Sequence, residues 1–473
     1  MYNYNQHLHF IGIGGVGMAG IAEVLLNLGY SVSGSDIKSN NLIERLEDLG
    51  ANVAIGHISQ NIPDNTSVVV LSSAITEDNT ELIEAKKRKL PLIQRAEMLA
   101  ELMKMKYGIA VAGSHGKTTT TSMTGKILTE CGFDPTVIIG GRILSQDTGA
   151  KLGTGSYLVA EADESDGSFC LLKPAIAIIT NIDHEHMNHY QTFGALENAF
   201  FEFMKSVPFY GLVVVCSDDP VLMNLAQRLE RRVITYGLSP NADIQARNIE
   251  VLGPISKYDL FINDKLQSKV VLPMVGVHMV CNSLAAIAVS LELGGYVCEI
   301  VKALEKFPGV ARRCELVSST TGIAVIDDYG HHPKEISATL LGIKQGWIPY
   351  LAEKNYQEGL NPNRDRGRLI VIFQPHRYSR TKDQFTEFLS CFNDADILFI
   401  NEIYSAGEEP IAGITAEKLA GAMHNQNVHY VKNLNQVSDE VSKIMRMNDV
   451  ILTIGAGSIH TISKELKNIL ERN

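Results

Sequence analysis

The stretch Val111-Ala112-Gly113-Ser114-His115-Gly116-Lys117-Thr118-Thr119-Thr120-Thr121 decides how this chain is read. The apolar run from Tyr107 to Ala112 predicts a strand. Helical spacing of Met123, Ile127 and Leu128 predicts a helix from about Lys117, stopping near Gly132. Between them Gly113 and Gly116 free backbone N–H groups to turn inward, where the positive end of the helix adds its field. Such a turn holds phosphate. Lys117 is expected to reach the β- and γ-phosphates of ATP, and the Thr118 hydroxyl to bind Mg²⁺. The general phosphate-loop pattern has a further glycine at the position of Val111, so the flanking strand and helix carry the assignment.

A second glycine turn lies near the start. His7 to Ile13 reads as a strand, followed by Gly12-Ile-Gly14-Gly15-Val16-Gly17-Met18-Ala-Gly20, a helix to about Gly29, and a second strand ending at Ser35-Asp36. Strand, glycine turn, helix and an acid about 20 positions on is a dinucleotide fingerprint, with Asp36 expected to accept from a ribose hydroxyl. Any nucleotide or nucleotide-sugar diphosphate fits such a turn, so NAD is not implied. Ser72 and Ser73 end the next apolar strand, Val68 to Leu71, and are candidate ligand contacts. Leu92 to Lys106 reads as a linking helix.

The remainder repeats the strand–helix alternation. Strands ending near Ala160 and Thr180 run into Glu161-Ala-Asp163-Glu164-Ser165-Asp166 and Asn181-Ile-Asp183-His184-Glu185-His186. Acidic strand ends beside a phosphate loop are where an ATP enzyme places Mg²⁺ ligands. Histidines at 184, 186 and 189 lack a cysteine pair and regular spacing, which argues against zinc. Asp243 to Leu272 alternates as antiparallel strands do. A third array opens with Gly322 to Ile326 and carries Asp327-Asp328-Tyr-Gly-His-His-Pro333 and Gln374-Pro-His376-Arg377-Tyr-Ser-Arg-Thr381. Gly346 to Arg368 reads as an unusually long loop. The expected organisation is α/β in three domains: 1–106 Rossmann-like, 107–315 a mostly parallel ATP-binding sheet, and 316–473 Rossmann-like again.

Composition narrows the classes. The chain has 473 residues, 45% hydrophobic and 20% charged, with a net charge of −11, which opposes binding to a nucleic-acid backbone. Seven scattered cysteines without a C-x-x-C pair suit reduced thiols. With neither a signal peptide nor a long apolar run, a cytoplasmic location without membrane insertion is expected. Oligomeric state stays open between monomer and homodimer.

Five stretches together resemble the Mur ligase family across essentially the whole chain: Ile11 to Gly20, Gly113 to Ser122, Glu161 to Asp166, Asp327 to Pro333 and Phe373 to Thr381. Within it they are similar to the branch that adds L-alanine. The resemblance implies a ligase of peptidoglycan synthesis that phosphorylates the muramate carboxylate of UDP-N-acetylmuramate from ATP. The amine of L-alanine then attacks the acyl phosphate. Gly14, Gly15, Val16, Gly17, Met18, Asp36, Ser72 and Ser73 are then expected to bind the UDP-sugar. ATP falls to Gly113, Ser114, His115, Gly116, Lys117, Thr118, Thr119, His278 and Asn282, and metal to Thr118, Glu161 and His186. Lys117, Arg313, Asp328, His376 and Arg377 are the expected catalytic set. Asn188 and Cys314 stand where the family usually has Asp and Phe. The rivals are a recycling ligase adding a preformed tripeptide to the same UDP-sugar, an NAD-dependent oxidoreductase, and a non-catalytic nucleotide switch.

Overall fold

In the computed structural model the described residues are 6–72, 74–143, 148–361, 365–423 and 427–472, and Ser73 lies outside them. They build three sheets. By contacts the chain falls into two compact units, 1–247 with 260–268 and 281–308, and 248–259 with 269–280 and 309–473.

The first unit holds the N-terminal sheet of β1 (His7–Ile11), β2 (Ser31–Asp36), β3 (Asn52–Ile55), β4 (Thr66–Leu71) and β5 (Leu92–Gln94), in the order β3-β2-β1-β4-β5. All neighbours are parallel. Strand order reverses at β1, so the loops after β1, β2 and β4 meet at one edge, the place where such sheets take ligands. The expected helix over 92–106 is corrected at its start. Leu92 to Gln94 pairs with Val69 to Leu71 as a strand, and the helix Arg95–Lys104 begins only where Glu97 Oε2 accepts from Gln94 N–H at 2.6 Å.

The same unit contains β6 (Tyr107–Ala112), β7 (Thr136–Ile143), β8 (Thr148–Lys151), β9 (Tyr157–Glu161), β10 (Ile176–Ile179), β11 (Leu212–Cys216) and β12 (Val233–Gly237), in the order β12-β11-β10-β6-β9-β7-β8. The hairpin β7–β8 is antiparallel and the other neighbours are parallel. Strand β6, buried from Gly108 to Ala112, sits between β9 and β10. The phosphate loop is therefore flanked by the two acidic strand ends. Beyond β12 the strands β13 (Ile244–Leu252), β14 (Ile255–Ile262) and β15 (Lys265–Leu272) follow, as the alternation over 243–272 led us to expect, and the unit boundary runs through them.

The second unit is built on β16 (Glu315–Thr320), β17 (Ile323–Asp328), β18 (Leu369–Phe373), β19 (Ile397–Asn401), β20 (Asn427–Val431) and β21 (Val450–Ile454), in the order β16-β17-β21-β18-β19-β20. All pairs are parallel except β16–β17. Leu369, Val371 and Phe373 enter one core while Ile370 and Ile372 enter the other. Both faces are covered by helices, so the strand reads as an unbroken apolar run.

The expected loop over 346–368 is overturned in its first part: 346–357 are helical, 358–361 and 365–368 are turn or irregular backbone, and 362–364 lie outside the described residues. The helix Pro333–Gln357 runs 25 residues straight through Gly346 and Pro349. A proline there removes one N–H from the ladder and usually ends a helix. Here Ile343, Trp347, Ile348 and Leu351 are buried in the larger core, and that burial outweighs the lost bond. Gly346 serves close approach: a Cβ would fall 2.6 Å from Val251 Cγ1, and Gly253 N–H donates to its carbonyl at 3.1 Å.

Candidate active site

In the first unit the loop after β6 turns through two glycines in the left-handed region, Gly113 at φ 125° and Gly116 at φ 84°. Only glycine fits: a Cβ on Gly113 would lie 2.1 Å from Thr180 Oγ1, and one on Gly116 2.5 Å from Asn282 Oδ1. Strand β10's end holds the loop's shape. Asn181 accepts from Ser114 N–H through its carbonyl (3.1 Å) and from His115 N–H through Oδ1 (2.9 Å). Asp183 N–H donates to Ser114 Oγ (2.9 Å), and Asp183 Oδ2 lies 3.2 Å from His115 Nε2. The helix Lys117–Glu130 then leaves with no side-chain cap at Gly116, and Thr118 and Thr119 sit buried in its first turn. Its first N–H groups and its field face the loop, the arrangement that binds phosphate.

Lys117 Nζ donates to the carbonyls of Gly113 (2.6 Å) and Ser114 (3.2 Å) and to Glu164 Oε1 (2.9 Å). Burial alone would lower its pKa, but the carboxylates of Glu164 and Asp163 reverse the direction and hold it above the ordinary lysine value. Lys117 is a fixed cation. Glu164 also lies 3.5 Å from His186 Nε2, and Glu185 lies 3.7 Å from the same nitrogen. His186 is held at φ 59° at the start of the turn Met187–Tyr190.

Glu164, Glu185 and His186 offer ligand atoms all within 4.8 Å of one another. Of the three expected metal positions only His186 belongs to this trio. Glu161 instead accepts from Gly140 N–H at 2.8 Å, and Thr118 is in the helix's first turn. Glu164 and Glu185 were visible in sequence only as members of acid-rich strand ends. Glu164 Oε2 lies 2.9 Å from Lys117 Nζ, and two carboxylates with one imidazole suit a hard divalent cation such as Mg²⁺. Asn188 is exposed.

At the N-terminal sheet, Gly15 caps the helix Val16–Asn27 without a side-chain bond. The helix therefore opens with free N–H groups at Val16, Gly17 and Met18. Asp36 ends β2 as expected, yet its Oδ2 accepts from Gly14 N–H at 2.9 Å, and Asn40 Nδ2 donates to the Gly14 carbonyl at 3.0 Å. Asp36 thus braces the glycine turn. Ser72 follows β4, and its Cβ lies 2.9 Å from where a Cβ on Gly12 would stand.

The second unit gathers another expected group. Asp328 accepts from Cys314 N–H (2.8 Å) and Gly330 N–H (2.7 Å), and burial pushes its pKa up to about 6 against the pull of Arg313. The Arg313 guanidinium stands 5.1 Å from the Tyr329 ring. Burial pushes His278 down to about 4, and Glu335 and Arg313 are the charged groups acting on it.

His376 stacks on Tyr404 (5.6 Å between centroids) and lies 5.9 Å from the ring of His331. Burial, with Arg380 and Arg377, holds it down to about 4, so it is neutral at pH 7. Arg377 is exposed at φ 72°, tied through its N–H to the Tyr404 carbonyl at 2.8 Å. Such backbone strain recurs where a side chain is aimed for function. Arg380, Glu408 and Tyr404 were not expected here. Glu408 fixes the turn by accepting from Ser379 N–H (2.9 Å) and Oγ–H (2.6 Å).

Comparison with known proteins identifies the family and the fold. Residues 7–107 match the model of the Mur ligase family catalytic domain, residues 111–290 the Mur ligase middle domain, and residues 312–457 the Mur ligase glutamate ligase domain. The UDP-N-acetylmuramate--L-alanine ligase of Geotalea uraniireducens (strain Rf4) is 48% identical over 98% of both chains. The solved UDP-N-acetylmuramate-alanine ligase of Thermotoga maritima superposes with a TM-score of 0.80 at 28% identity, covering 99% of this chain and 100% of that one. The murein peptide ligase of Psychrobacter arcticus shares the fold with a TM-score of 0.67 at 24% identity, over 99% of each chain. On the three domain matches and these full-length relatives, the chain belongs to the Mur ligase family.

Proposed function

We propose that this protein joins L-alanine to the muramate carboxylate of UDP-N-acetylmuramate with cleavage of ATP to ADP and phosphate, a step of peptidoglycan synthesis. The observation that supports the reading is Glu164, which accepts from Lys117 of the glycine turn and lies 3.5 Å from His186, as neighbouring phosphate and cation sites require. A free carboxylate is a poor acyl donor. Transfer of the γ-phosphoryl to it creates an acyl phosphate, whose C–O bond then breaks as the neutral amine of alanine attacks the carbonyl carbon. Phosphate leaves and the amine sheds its proton.

Lys117 and the N–H groups of the Gly113–Thr119 turn bind the phosphates and stabilise the charge of the transferring group. Asn282 sits against the turn at Gly116. Glu164, Glu185 and His186 would hold Mg²⁺, which supplies charge neutralisation at the β- and γ-phosphates when bound. In the second unit Arg377 offers a guanidinium suited to a carboxylate, and neutral His376 beside it adds no competing charge. Arg313 and Asp328 are proposed to assist from the same unit. The glycine turn after β1 takes the UDP diphosphate at its helix N-terminus. Among the described residues no helix is long and apolar enough to cross a membrane, which agrees with small soluble substrates; a cytoplasmic site of action is part of the proposal.

Phosphate release with ATP, Mg²⁺ and UDP-N-acetylmuramate tests the reading when L-alanine, the tripeptide or neither is added. Release that requires L-alanine is the expected result. Release with tripeptide alone would move the chain to recycling, and silence in all three would favour the nucleotide switch. His186→Ala is expected to shift the Mg²⁺ dependence of this reaction to higher concentration by about tenfold or more. An unchanged Mg²⁺ titration would remove His186 from the cation site.

A further inference from the structure

The N-terminal sheet carries a buried polar chain that the reaction above does not use. Glu81, in the helix Thr80–Lys87, has no exposed surface and receives four donors. These are Ser35 Oγ–H at 2.6 Å, His9 Nε2 at 3.3 Å, Ile58 N–H at 3.2 Å and Asn61 Nδ2 at 2.5 Å. Burial pushes the carboxyl pKa up, but the hydrogen bonds from His9, Ser35 and Asn61 more than offset this, so Glu81 is ionised. An ionised carboxylate only accepts.

That fact sets the direction of every neighbouring proton. Ser35 must give its hydroxyl hydrogen to Glu81. Its oxygen, 2.9 Å from His57 Nδ1, must therefore accept from that nitrogen. In neutral imidazole one nitrogen carries the proton and the other accepts. The neutral ring of His57 is thereby held as the Nδ1–H tautomer, which leaves the lone pair on Nε2.

His57 lies just beyond β3, beside the expected ligand edge. Ile55 pairs with Asp36, and Gly56 N–H donates to the Asp36 carbonyl at 2.8 Å. The His57 side chain keeps 16% exposure; Ile55 and Ile58, close to it in sequence, and Ile37, next to the Asp36 that pairs with Ile55, are exposed at 57%, 54% and 68%. A bare lone pair repels phosphate oxygens. It suits a flat group that presents an N–H or O–H.

We propose that Glu81, acting through Ser35, is a positioning residue that holds His57 as an Nε2 acceptor for a donor on the uridine part of the nucleotide-sugar. The inference rests on reading this sheet as the UDP-sugar domain. The donor is the N3–H of uracil or a ribose hydroxyl, and the two are separable.

The test uses the full chain and UDP as the probe, by calorimetry, with 3-methyl-UDP and the 2′- and 3′-deoxy nucleotides as comparison. His57→Phe is expected to weaken UDP binding about tenfold. His57→Gln, whose amide oxygen can replace the Nε2 lone pair, should recover most of the loss. Ser35→Ala and Glu81→Gln are expected to raise KM for the UDP-sugar while leaving kcat nearly unchanged. ¹⁵N spectra of the histidines should show His57 as Nδ1–H in the unsubstituted protein and lose that preference in Ser35→Ala, a change that a merely structural role would not produce. An Nε2–H tautomer in the unsubstituted protein overturns the inference. So does UDP binding that His57→Phe leaves unchanged, or equal binding of UDP and every analogue. Failure of the unsubstituted protein to bind UDP at all would instead overturn the reading of the sheet. The variants at the partly exposed His57 keep the test intact if Glu81→Gln does not fold.

Discussion

Replacing Lys117 with alanine is expected to lower phosphate release by at least about a thousandfold, the scale on which a single cation stabilises phosphoryl transfer, while UDP-sugar binding stays nearly intact. Nζ is a side-chain cation held inside the turn, fixed by two carbonyls and Glu164. Its charge is secured by that carboxylate. The glycine turn after β1, proposed for the UDP-sugar, belongs to a different sheet and, among the described residues, shares no hydrogen bond with Lys117.

The substitution has a second consequence. Glu164 is fully buried, and a buried carboxylate stripped of its partner costs about 3–5 kcal/mol. Lys117→Met combined with Glu164→Gln should therefore recover stability without recovering turnover. Calorimetry with UDP-N-acetylmuramate, alongside phosphate release, separates these effects. Loss of UDP-sugar binding in a folded Lys117→Ala protein would show that the two nucleotide sites are not independent.

Trp347→Ala should remove about 3–5 kcal/mol from a unit whose whole stability is on the order of 5–15 kcal/mol. Trp347 is 3% exposed among Ile343, Ile348 and Leu351, and its ring meets Tyr350 edge-on at 5.8 Å. It anchors the helix at the very place where Gly346 and Pro349 would otherwise break it. As the chain's sole tryptophan, it also reports the transition of the second unit by fluorescence in the unsubstituted protein. Urea denaturation of the variant is followed by circular dichroism. A loss below about 1 kcal/mol would mean that something other than this packing carries the helix through the proline.

Much of the site is local, and local features are legible. Strand, glycine turn and helix at Ile11–Gly20 and Gly113–Ser122 follow from hydrophobic period and from the conformations that only glycine adopts easily. The apolar runs of β6, β17 and β18 announced buried parallel strands before any packing was known. The misreadings share a cause. Leu92–Gln94 became a strand because β4 was available to pair with it. Gly346–Gln357 stayed helical because of what its apolar side could bury. Neither partner lies nearby in sequence.

By itself, then, the sequence determined the α/β class, the two glycine-bounded turns with Lys117 at the head of the second helix, and the family, because each depends on residues within a few positions of one another. Tertiary structure decided which acids meet His186. Glu161, Glu164 and Glu185 are alike in composition and differ only in where the flanking of β6 by β9 and β10 delivers them. It likewise turned Asp36 toward Gly14 and set the proton on His57 through Ser35 and Glu81. A hydrogen bond is chosen by distance and direction in space, and the chain order of donor and acceptor does not contain them.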